Sequence, residues 1–177
     1  MPSTPPDIRP CRCPTGTGVL MGHSDTQRLM HRLFNDRDFA SMTEHLADDV
    51  TLIDVPSGGT YRGPEEAIDY LAEWARGFST ATVADASYLE GPGHSVCFFL
   101  AKGRNDGEFA GMPPTNETIA VPFCEVATYA ADGRTETVRF YYDAVTIMTQ
   151  LGILIADDEE YDDEFDEEDL RTTAEGE

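Results

Sequence analysis

The chain is poor in basic residues. It has one lysine, Lys102, and twelve lysines and arginines in all, against 34 acidic residues, so its formal net charge is −22. Nucleic acids and anionic membrane surfaces are bound through basic residues that pair with phosphate groups, and the composition therefore argues against both kinds of partner. An acidic surface with almost no lysine fits a salt-loving host, and it fits a GC-rich genome equally well.

Long apolar runs and clusters of metal ligands are missing as well. No apolar run approaches the roughly 18–20 residues that a membrane-spanning helix needs, and the first residues lack the apolar core of a signal peptide. Cys11 and Cys13 form a C-x-C pair with no second pair at zinc spacing, while Cys97 and Cys124 lie in apolar strand patterns. We expect a soluble, cytoplasmic protein with reduced cysteines and with neither a metal nor a cofactor.

The two ends of the chain have compositions that disfavour folding. Residues 1–22 are rich in proline and glycine, and residues 157–169 hold 11 acidic residues in 13 positions. We expect residues 1–22 to form a disordered leader and residues 157–177 a disordered acidic tail, with one domain over residues 23–156. Hydrophobic residues make up 40% of the chain, which is enough for a core in a domain of this size.

Apolar periodicity predicts helices in the first part of the domain and strands in the rest. The predicted helices are 25–35, 38–46 and one that begins at Pro64, and the predicted strands are about 50–55, 81–90, 94–103, 117–130 and 135–147. Gly91-Pro92-Gly93 and Asp132-Gly133 are hairpin signals between strands. This order predicts an α+β fold in which three N-terminal helices pack on a curved antiparallel sheet and enclose a pocket.

Three short motifs follow one another in the C-terminal half. Residues 107–115 read G-E-F-A-G-M-P-P-T, a strand after Asp132-Gly133 ends in Tyr141-Tyr142-Asp143, and Gln150-Leu151-Gly152 comes next. In this order and at this spacing they resemble the motifs of the SnoaL-like polyketide cyclase (ester cyclase) family, within the NTF2-like superfamily. The resemblance covers about residues 24–155.

The resemblance implies an NTF2-like cone that closes a ring in a polyketide by an intramolecular aldol reaction, without metal or cofactor. It also implies a small hydrophobic substrate and a homodimer or higher homo-oligomer built on the outer face of the sheet. Two positions depart from the family's pattern. Asn116 stands where the family has glycine, although Asn tolerates left-handed backbone angles, and residues 118–130 lack the histidine that characterised cyclases carry.

Asp143 is the candidate acid/base residue. Strand periodicity places Arg139, Tyr141 and Asp143 on one face. If that face lines the pocket, burial raises the pKa of the carboxyl group while Arg139 lowers it, which can poise the group for proton transfer. From the residues alone, an Asp143 that pairs with Arg139 or caps the following segment is an equal alternative, and the resemblance favours catalysis. Arg139 and Tyr141 are candidate donors to a developing enolate.

Other residues are weaker candidates. His94 could replace the missing histidine, although a histidine at a strand edge is more often a surface residue. Asp54 continues the apolar face of Val50 and Leu52, so it is either a second polar group of the pocket or a residue that begins a turn. The remaining candidates for substrate binding are Trp74, Tyr70 and Phe78, which could stack on a flat substrate or pack in the core, and Asn35 and His31 on the first helix.

Two other functions stay open. A different acid/base reaction in the same fold, such as epoxide opening or hydrolysis, dehydration or an unusual cyclisation, fits the Arg139–Asp143 pair and the missing histidine. A non-catalytic small-molecule-binding module is the alternative outside the enzymes, because NTF2-like cones are often reused for binding.

Overall fold

A computed structural model describes residues 22–154 of the chain. The elements, in chain order, are α1 (His23–Asp36), α2 (Phe39–Glu44), β1 (Leu46–Asp54), β2 (Gly59–Arg62), α3 (Gly63–Gly77), β3 (Thr82–Gly91), β4 (His94–Arg104), β5 (Thr118–Tyr129), β6 (Thr135–Tyr142) and α4 (Ala144–Gln150). The leader up to residue 21 and the acidic tail lie outside the described residues, and both stay predictions. Within the described part, no helix is long and apolar enough to cross a membrane.

The six strands form one curved, unclosed sheet in the order β2-β1-β6-β5-β4-β3. Neighbouring strands are antiparallel except β1 and β6, which run parallel. The first strand of the chain therefore lies inside the sheet, beside the last one. The α+β fold, with helices packed on a curved sheet, is confirmed, and the parallel pair is an addition that the strand pattern did not predict.

Side chains at the end of α1 attach this helix to the sheet. Asn35 Nδ2 donates to the carbonyl oxygen of Val83 (3.1 Å), and Asn35 Oδ1 accepts from the Val83 N–H (2.8 Å). The side-chain amide therefore satisfies both backbone groups of Val83, as a neighbouring strand would. Arg37, in a left-handed conformation at φ 62°, donates to the carbonyl oxygens of Ser79 and Ala81. These bonds hold α1 over one end of the concave face.

Helix α3 begins as the sequence predicts. Pro64 occupies the first turn together with Glu65 and Glu66, which suit the positive end of the helix dipole. The Glu66 carboxylate also accepts from the N–H of Arg62 (2.7 Å), which satisfies a backbone donor at the helix start. The face of α3 that carries Tyr70 is buried against the sheet.

The segment between β4 and β5 is organised by Asn105, a buried residue that is 2% exposed. Its Nδ2 donates to the carbonyl oxygens of Gly77 and Gly107, both at 3.0 Å, and its Oδ1 accepts from the Thr115 N–H at 2.8 Å. One side chain thus joins the end of α3 to both ends of the connecting segment, which contains the first of the sequence motifs.

The same segment covers one end of the helix layer with an aromatic side chain. Phe109 packs against Trp74 and Phe78, with ring centroids 4.4 and 5.1 Å apart. Asn116 closes the segment with φ 64°, and the expectation that Asn can replace a glycine at this left-handed position is confirmed. The motif thus packs its own Phe109 against the end of α3.

Strand β6 is shorter than predicted. It ends at Tyr142, and helix α4 follows where the strand was expected to continue to residue 147. The prediction is wrong over these last residues because Asp143 provides the side-chain hydrogen bonds that start a helix. Gln150, in α4, returns to the sheet, where its Oε1 accepts from the Ala120 N–H at 2.8 Å.

Candidate active site

A cavity of about 100 Å³ lies between α1, α3 and the concave face of the sheet. Its wall is mainly apolar and aromatic, with Tyr70, Trp74, Phe78, Phe99, Phe123 and Phe140 among the lining residues. An engineered cavity of about 150 Å³ in another protein stays dry and binds benzene, so a volume of this order suits one ring or one short segment of a larger molecule.

One end of the cavity is polar, because Gln27 and His31 from α1 meet Glu125 from β5 there. Glu125 Oε2 lies 2.8 Å from His31 Nε2, and Glu125 Oε1 accepts from Gln27 Nε2 at 2.9 Å. All three side chains are buried. A buried carboxylate is costly unless it is paired and hydrogen-bonded, and both oxygens of this one have a partner.

A chain of hydrogen bonds leads from this carboxylate towards the surface. Because the Glu125 oxygen is an acceptor, a neutral His31 carries its hydrogen on Nε2, and its Nδ1 accepts from the Tyr88 hydroxyl at 2.8 Å. Burial raises the pKa of Tyr88 to about 12, so the hydroxyl keeps its proton at neutral pH. Tyr88 borders an outer polar groove, where the Arg28 guanidinium lies 3.9 Å from its ring centroid.

A second set of hydrogen bonds fixes the orientation of Gln27. The Ser95 hydroxyl donates to Gln27 Oε1 at 2.8 Å, which leaves the Gln27 amide hydrogens directed at Glu125. Ser95 is itself buried and lies 2.7 Å from the Tyr129 hydroxyl. The Gln27 amide cannot rotate by 180° without losing these hydrogen bonds, so it fixes the Glu125 carboxylate on one side.

Glu125 and several other buried side chains of the concave face lie in one row across the sheet. The paired positions are Tyr88 with Cys97, Cys97 with Glu125, Glu125 with Phe140, and Phe140 with Asp54. Cys97 lies beneath His31, with Sγ 3.9 Å from Nδ1. Burial, followed by the Glu125 charge, raises the pKa of this thiol to about 12, so it stays neutral and is a poor nucleophile.

A family model for the SnoaL-like polyketide cyclases matches residues 24–151 of the chain. The chain belongs to the SnoaL-like polyketide cyclase family. No curated protein matches its sequence.

Solved structures share the fold of this SnoaL-like protein. A proposed SnoaL-like polyketide cyclase from Jannaschia sp. CCS1 is 22% identical with a TM-score of 0.69, and the match covers 83% of this chain and 100% of that one. IdmH, a proposed polyketide cyclase from Streptomyces antibioticus, is 22% identical with a TM-score of 0.64, over 73% and 98% of the two chains. A Catenulispora acidiphila protein with a ketosteroid isomerase-like fold is 16% identical with a TM-score of 0.62, over 73% and 94%. The NTF2-like cone implied by the motifs is therefore confirmed.

Asp143 lies outside the cavity of this SnoaL-like protein, so its expected placement in the pocket is wrong. Its Oδ1 accepts from the N–H groups of Val145 (2.9 Å) and Thr146 (3.1 Å), and its Oδ2 accepts from the Thr146 hydroxyl (2.6 Å). These bonds, led by the Thr146 hydroxyl, lower the pKa of the exposed carboxyl group. The geometry is that of a helix cap, which was the alternative to a catalytic role.

Arg139 and Tyr141 share the face of Asp143, as periodicity predicts, but this face is the convex one. The alternate residues of β6, Val138 and Phe140, are buried and line the cavity. A shift of one residue exchanges the two faces of a strand, and both faces of β6 carry large side chains. The expectation that Arg139 and Tyr141 reach the pocket is therefore wrong.

The remaining predicted residues divide between the cavity and the surface. His94 is exposed, and its Nδ1 lies 3.0 Å from the carbonyl oxygen of Pro92, so its expected replacement of the family's histidine has no support in its position. Asn35 docks α1 on β3 and lies outside the cavity. Trp74, Tyr70 and Phe78 line the cavity and are also packed in the core, which combines the two alternatives.

Glu125 is the residue that the sequence reading missed, and His31 is the one it underrated. Glu125 follows Val121 and Phe123 at alternate positions of β5, so it continues an apolar face with a carboxylate. A charged residue on such a face was a readable signal. The histidine of the cavity comes from α1 rather than from a strand, and no spacing in the sequence links it to Glu125, 94 residues away.

Proposed function

We propose that this SnoaL-like protein is a cofactor-independent cyclase that closes a ring in a polyketide or a related natural-product intermediate. Glu125 and His31 are the acid/base pair in this proposal. The observation that carries it is their 2.8 Å contact, buried at the polar end of an otherwise apolar cavity. Buried titratable pairs of this kind concentrate at sites of proton transfer.

The reaction that fits is an intramolecular aldol closure. A proton on a carbon between two carbonyl groups is already acidic, so the Glu125 carboxylate can remove it and leave an enolate. The enolate carbon then forms a carbon–carbon bond with a second carbonyl carbon of the same molecule. The oxygen of that carbonyl becomes an alkoxide and receives the proton back from Glu125. Atoms and electrons balance as an isomerisation, which needs neither an oxidant nor a reductant.

The neighbours of Glu125 suit this exchange of a proton. His31 and Gln27 hold the carboxylate in one orientation, with a hydrogen-bond partner at each of its two oxygens. His31 can in turn exchange protons with Tyr88 at the outer groove. Glu125 thus has a route to solvent that does not pass through the cavity.

The aromatic wall supplies orientation. Binding that holds a flexible chain with its reacting carbons in contact removes much of the entropic part of the activation barrier. At best, this lowers the barrier by about 7–11 kcal/mol. Trp74 and Phe123, with ring centroids 6.1 Å apart and nearly perpendicular planes, form a corner against which a flat segment can lie.

Glu125→Gln tests the proposal. We expect the native host that carries this variant to lose a ring-closed metabolite and to accumulate its open precursor, at matched protein levels, because the amide has the same shape but cannot accept the proton. Asp143→Ala is the comparison, since the sequence reading placed the base there. A metabolite profile that changes with Asp143→Ala and stays normal with Glu125→Gln would overturn the proposal and assign the base to Asp143.

A non-catalytic small-molecule-binding module is the second candidate function. Two observations favour it: the cavity is small, at about 100 Å³, and the carboxylate at the family's motif position is occupied as a helix cap. In that case, both variants leave the metabolite profile unchanged, and Glu125→Gln weakens the binding of whatever small molecule copurifies with the protein.

A further inference from the structure

The outer polar groove lies between α1 and the edge strand β3 and has a volume of about 590 Å³. It is larger than the inner cavity of about 100 Å³, and its surface is mainly polar. Besides His31, its lining residues are Asp25, Arg28, Arg32, Asn35, Val83 and Tyr88. The groove therefore has space for a small organic molecule.

Two arginines of α1 line this groove side by side. Arg28 and Arg32 are four residues apart, which makes their side chains neighbours on the helix surface. The Arg28 guanidinium carbon lies 3.9 Å from the centroid of the Tyr88 ring, so stacking on this ring holds the group in place. A planar guanidinium group can donate two parallel hydrogen bonds to the two oxygens of a carboxylate.

Neither arginine has an acidic partner among the residues that the structure describes. Within residues 22–154, the ion pairs involve His31, Lys102 and Arg134, and none involves Arg28 or Arg32. Acidic residues outnumber lysines and arginines by 34 to 12 in this chain, so carboxylates are plentiful. Two neighbouring arginines without such a partner form a local positive site on an acidic protein, and a site of this kind attracts an anionic ligand.

The charges in the groove favour a ligand with a single negative charge. Asp25 belongs to the same lining, three residues before Arg28, and its carboxylate offsets one of the two guanidinium charges. Two positive charges and one negative charge leave one positive charge, which suits a monoanion better than a dianion such as phosphate. Val83 adds an apolar contact for the carbon part of an organic acid.

We infer that the outer polar groove binds the carboxylate group of a small organic acid, with Arg28 and Arg32 as its donors. The bound carboxylate lies at the outer end of the hydrogen-bond chain from Glu125 through His31 to Tyr88.

The Tyr88 hydroxyl connects such a ligand to the inner cavity. Burial raises the pKa of Tyr88, and the Arg28 charge counteracts part of this rise. A carboxylate bound at Arg28 offsets that charge, so it acts on the hydrogen-bond chain without entering the cavity. An organic acid in the groove can therefore regulate proton exchange at Glu125, a role that rests on the proposed function. The binding itself does not depend on it.

Benzoate and benzyl alcohol test the site, because they have the same ring and only benzoate has a carboxylate. NMR titrations at constant ionic strength follow the backbone N–H signals of Val83 and Tyr88, the two groove signals, which are present in every variant. We expect benzoate to shift both signals to saturation, and benzyl alcohol at the same concentrations to leave them in place. Arg28→Gln combined with Arg32→Gln should weaken benzoate binding about tenfold, because two exposed ion pairs are lost. Arg32→Gln alone keeps the contact between Arg28 and Tyr88 and should weaken it about threefold.

Arg62→Gln combined with Arg104→Gln is the matched control, since both arginines are exposed and lie outside the groove. This variant should bind benzoate as tightly as wild type. Equal losses in the two double variants would show a general effect of charge and overturn the inference. Benzyl alcohol that binds as well as benzoate would do the same, as would benzoate that shifts only the indole N–H signal of Trp74 in the inner cavity. None of these readouts involves turnover, so the metabolite profile of Glu125→Gln tests the cyclase assignment independently.

Discussion

Glu125 and Asp143 show how far the position of a carboxylate in a strand pattern can be interpreted. Both follow apolar residues in β-strand sequence, and the motif order favours Asp143. The structure buries Glu125 on the concave face of β5 and leaves Asp143 exposed just beyond the end of β6, where it caps α4. On β5 the alternation is clear enough to read the inner face from sequence, while on β6 bulky residues occupy both faces. Periodicity correctly grouped Arg139 and Tyr141 with Asp143, but it could not show whether this group lies on the concave or the convex face of the sheet.

Tyr88→Phe tests the hydrogen-bond chain at the level of one residue. Loss of the hydroxyl removes the donor to His31 Nδ1, while the bond from Nε2 to Glu125 remains. We expect nitrogen-15 NMR at neutral pH to show the Nδ1 signal of His31 moving towards that of an unbonded acceptor, with the hydrogen still on Nε2.

Tyr129→Phe is the control for that measurement. Its hydroxyl contacts Ser95 rather than His31, so the His31 signals should stay in place. A wild-type His31 that carries its hydrogen on Nδ1 alone would contradict the proposed direction of the chain.

At the level of elements, the helices and most strands could be predicted because their apolar periods are clear. The prediction failed for the short strand β2, for helix α4 and for the parallel pairing of β1 with β6. Helix α4 begins where the side chain of Asp143 competes with strand pairing, and local hydrogen bonds of that kind are not visible in a hydrophobic pattern. The parallel pairing of β1 with β6 depends on contacts between distant segments, which no local pattern specifies.

The segment between β4 and β5 offers a test at this scale. Asn105→Ala leaves the Gly77 carbonyl oxygen and the Thr115 N–H without their partner. Unsatisfied buried groups cost about 1–3 kcal/mol each, so we expect a clearly lower Tm. Because Phe109 then loses its support over Trp74, tryptophan emission should shift to longer wavelength.

Asn116→Gly is the comparison within the same segment. Glycine accepts the left-handed φ of 64° without strain, so thermal unfolding and emission should stay close to wild type. Equal unfolding temperatures for Asn105→Ala and wild type would show that the side chain of Asn105 does not organise the segment.

At the level of the whole molecule, the convex face of the sheet carries several exposed apolar side chains. Phe98 is 50% exposed and Tyr141 is 42% exposed, and both are paired with Cys124 in one row across three strands. Leu89, 60% exposed, pairs with Val96 in the neighbouring row. Apolar surface of this kind favours association, and it supports the homodimer or higher homo-oligomer that the family resemblance implies.

We propose that this face forms the contact between copies, and Phe98→Arg combined with Tyr141→Arg tests it. Two charges placed in each half of a self-complementary interface oppose each other across it, so we expect light scattering after gel filtration to give the mass of a single chain. Val145→Arg is the control, because it also replaces an exposed apolar residue with arginine, but on α4. This variant should keep the mass of the assembly. A wild-type protein that is already a monomer at high concentration would exclude this interface.

The candidate site was less predictable than the fold, for a reason that concerns the whole chain. Its polar groups come from α1, β1, β3 and β5. The sheet order brings those of the strands into one row, and the side chains of α1 reach this row through hydrogen bonds to Glu125. Individual residues such as Tyr70 and Trp74 could be selected from a helical stripe. Their relation to Glu125 and Asp54 follows from strand register, which is fixed only by the packed molecule.

The position of β1 beside β6 has a consequence for how the protein is made. When the ribosome has released β1 and β2, the two strands can pair only with each other, and an isolated two-stranded hairpin is at best marginally stable in water. The parallel partner of β1 begins at Thr135, about eighty residues after β1 ends. Pairings between such distant segments form slowly. We therefore expect β1 to take its place in the sheet only after β6 has been made, and the row across the sheet to be completed at that point.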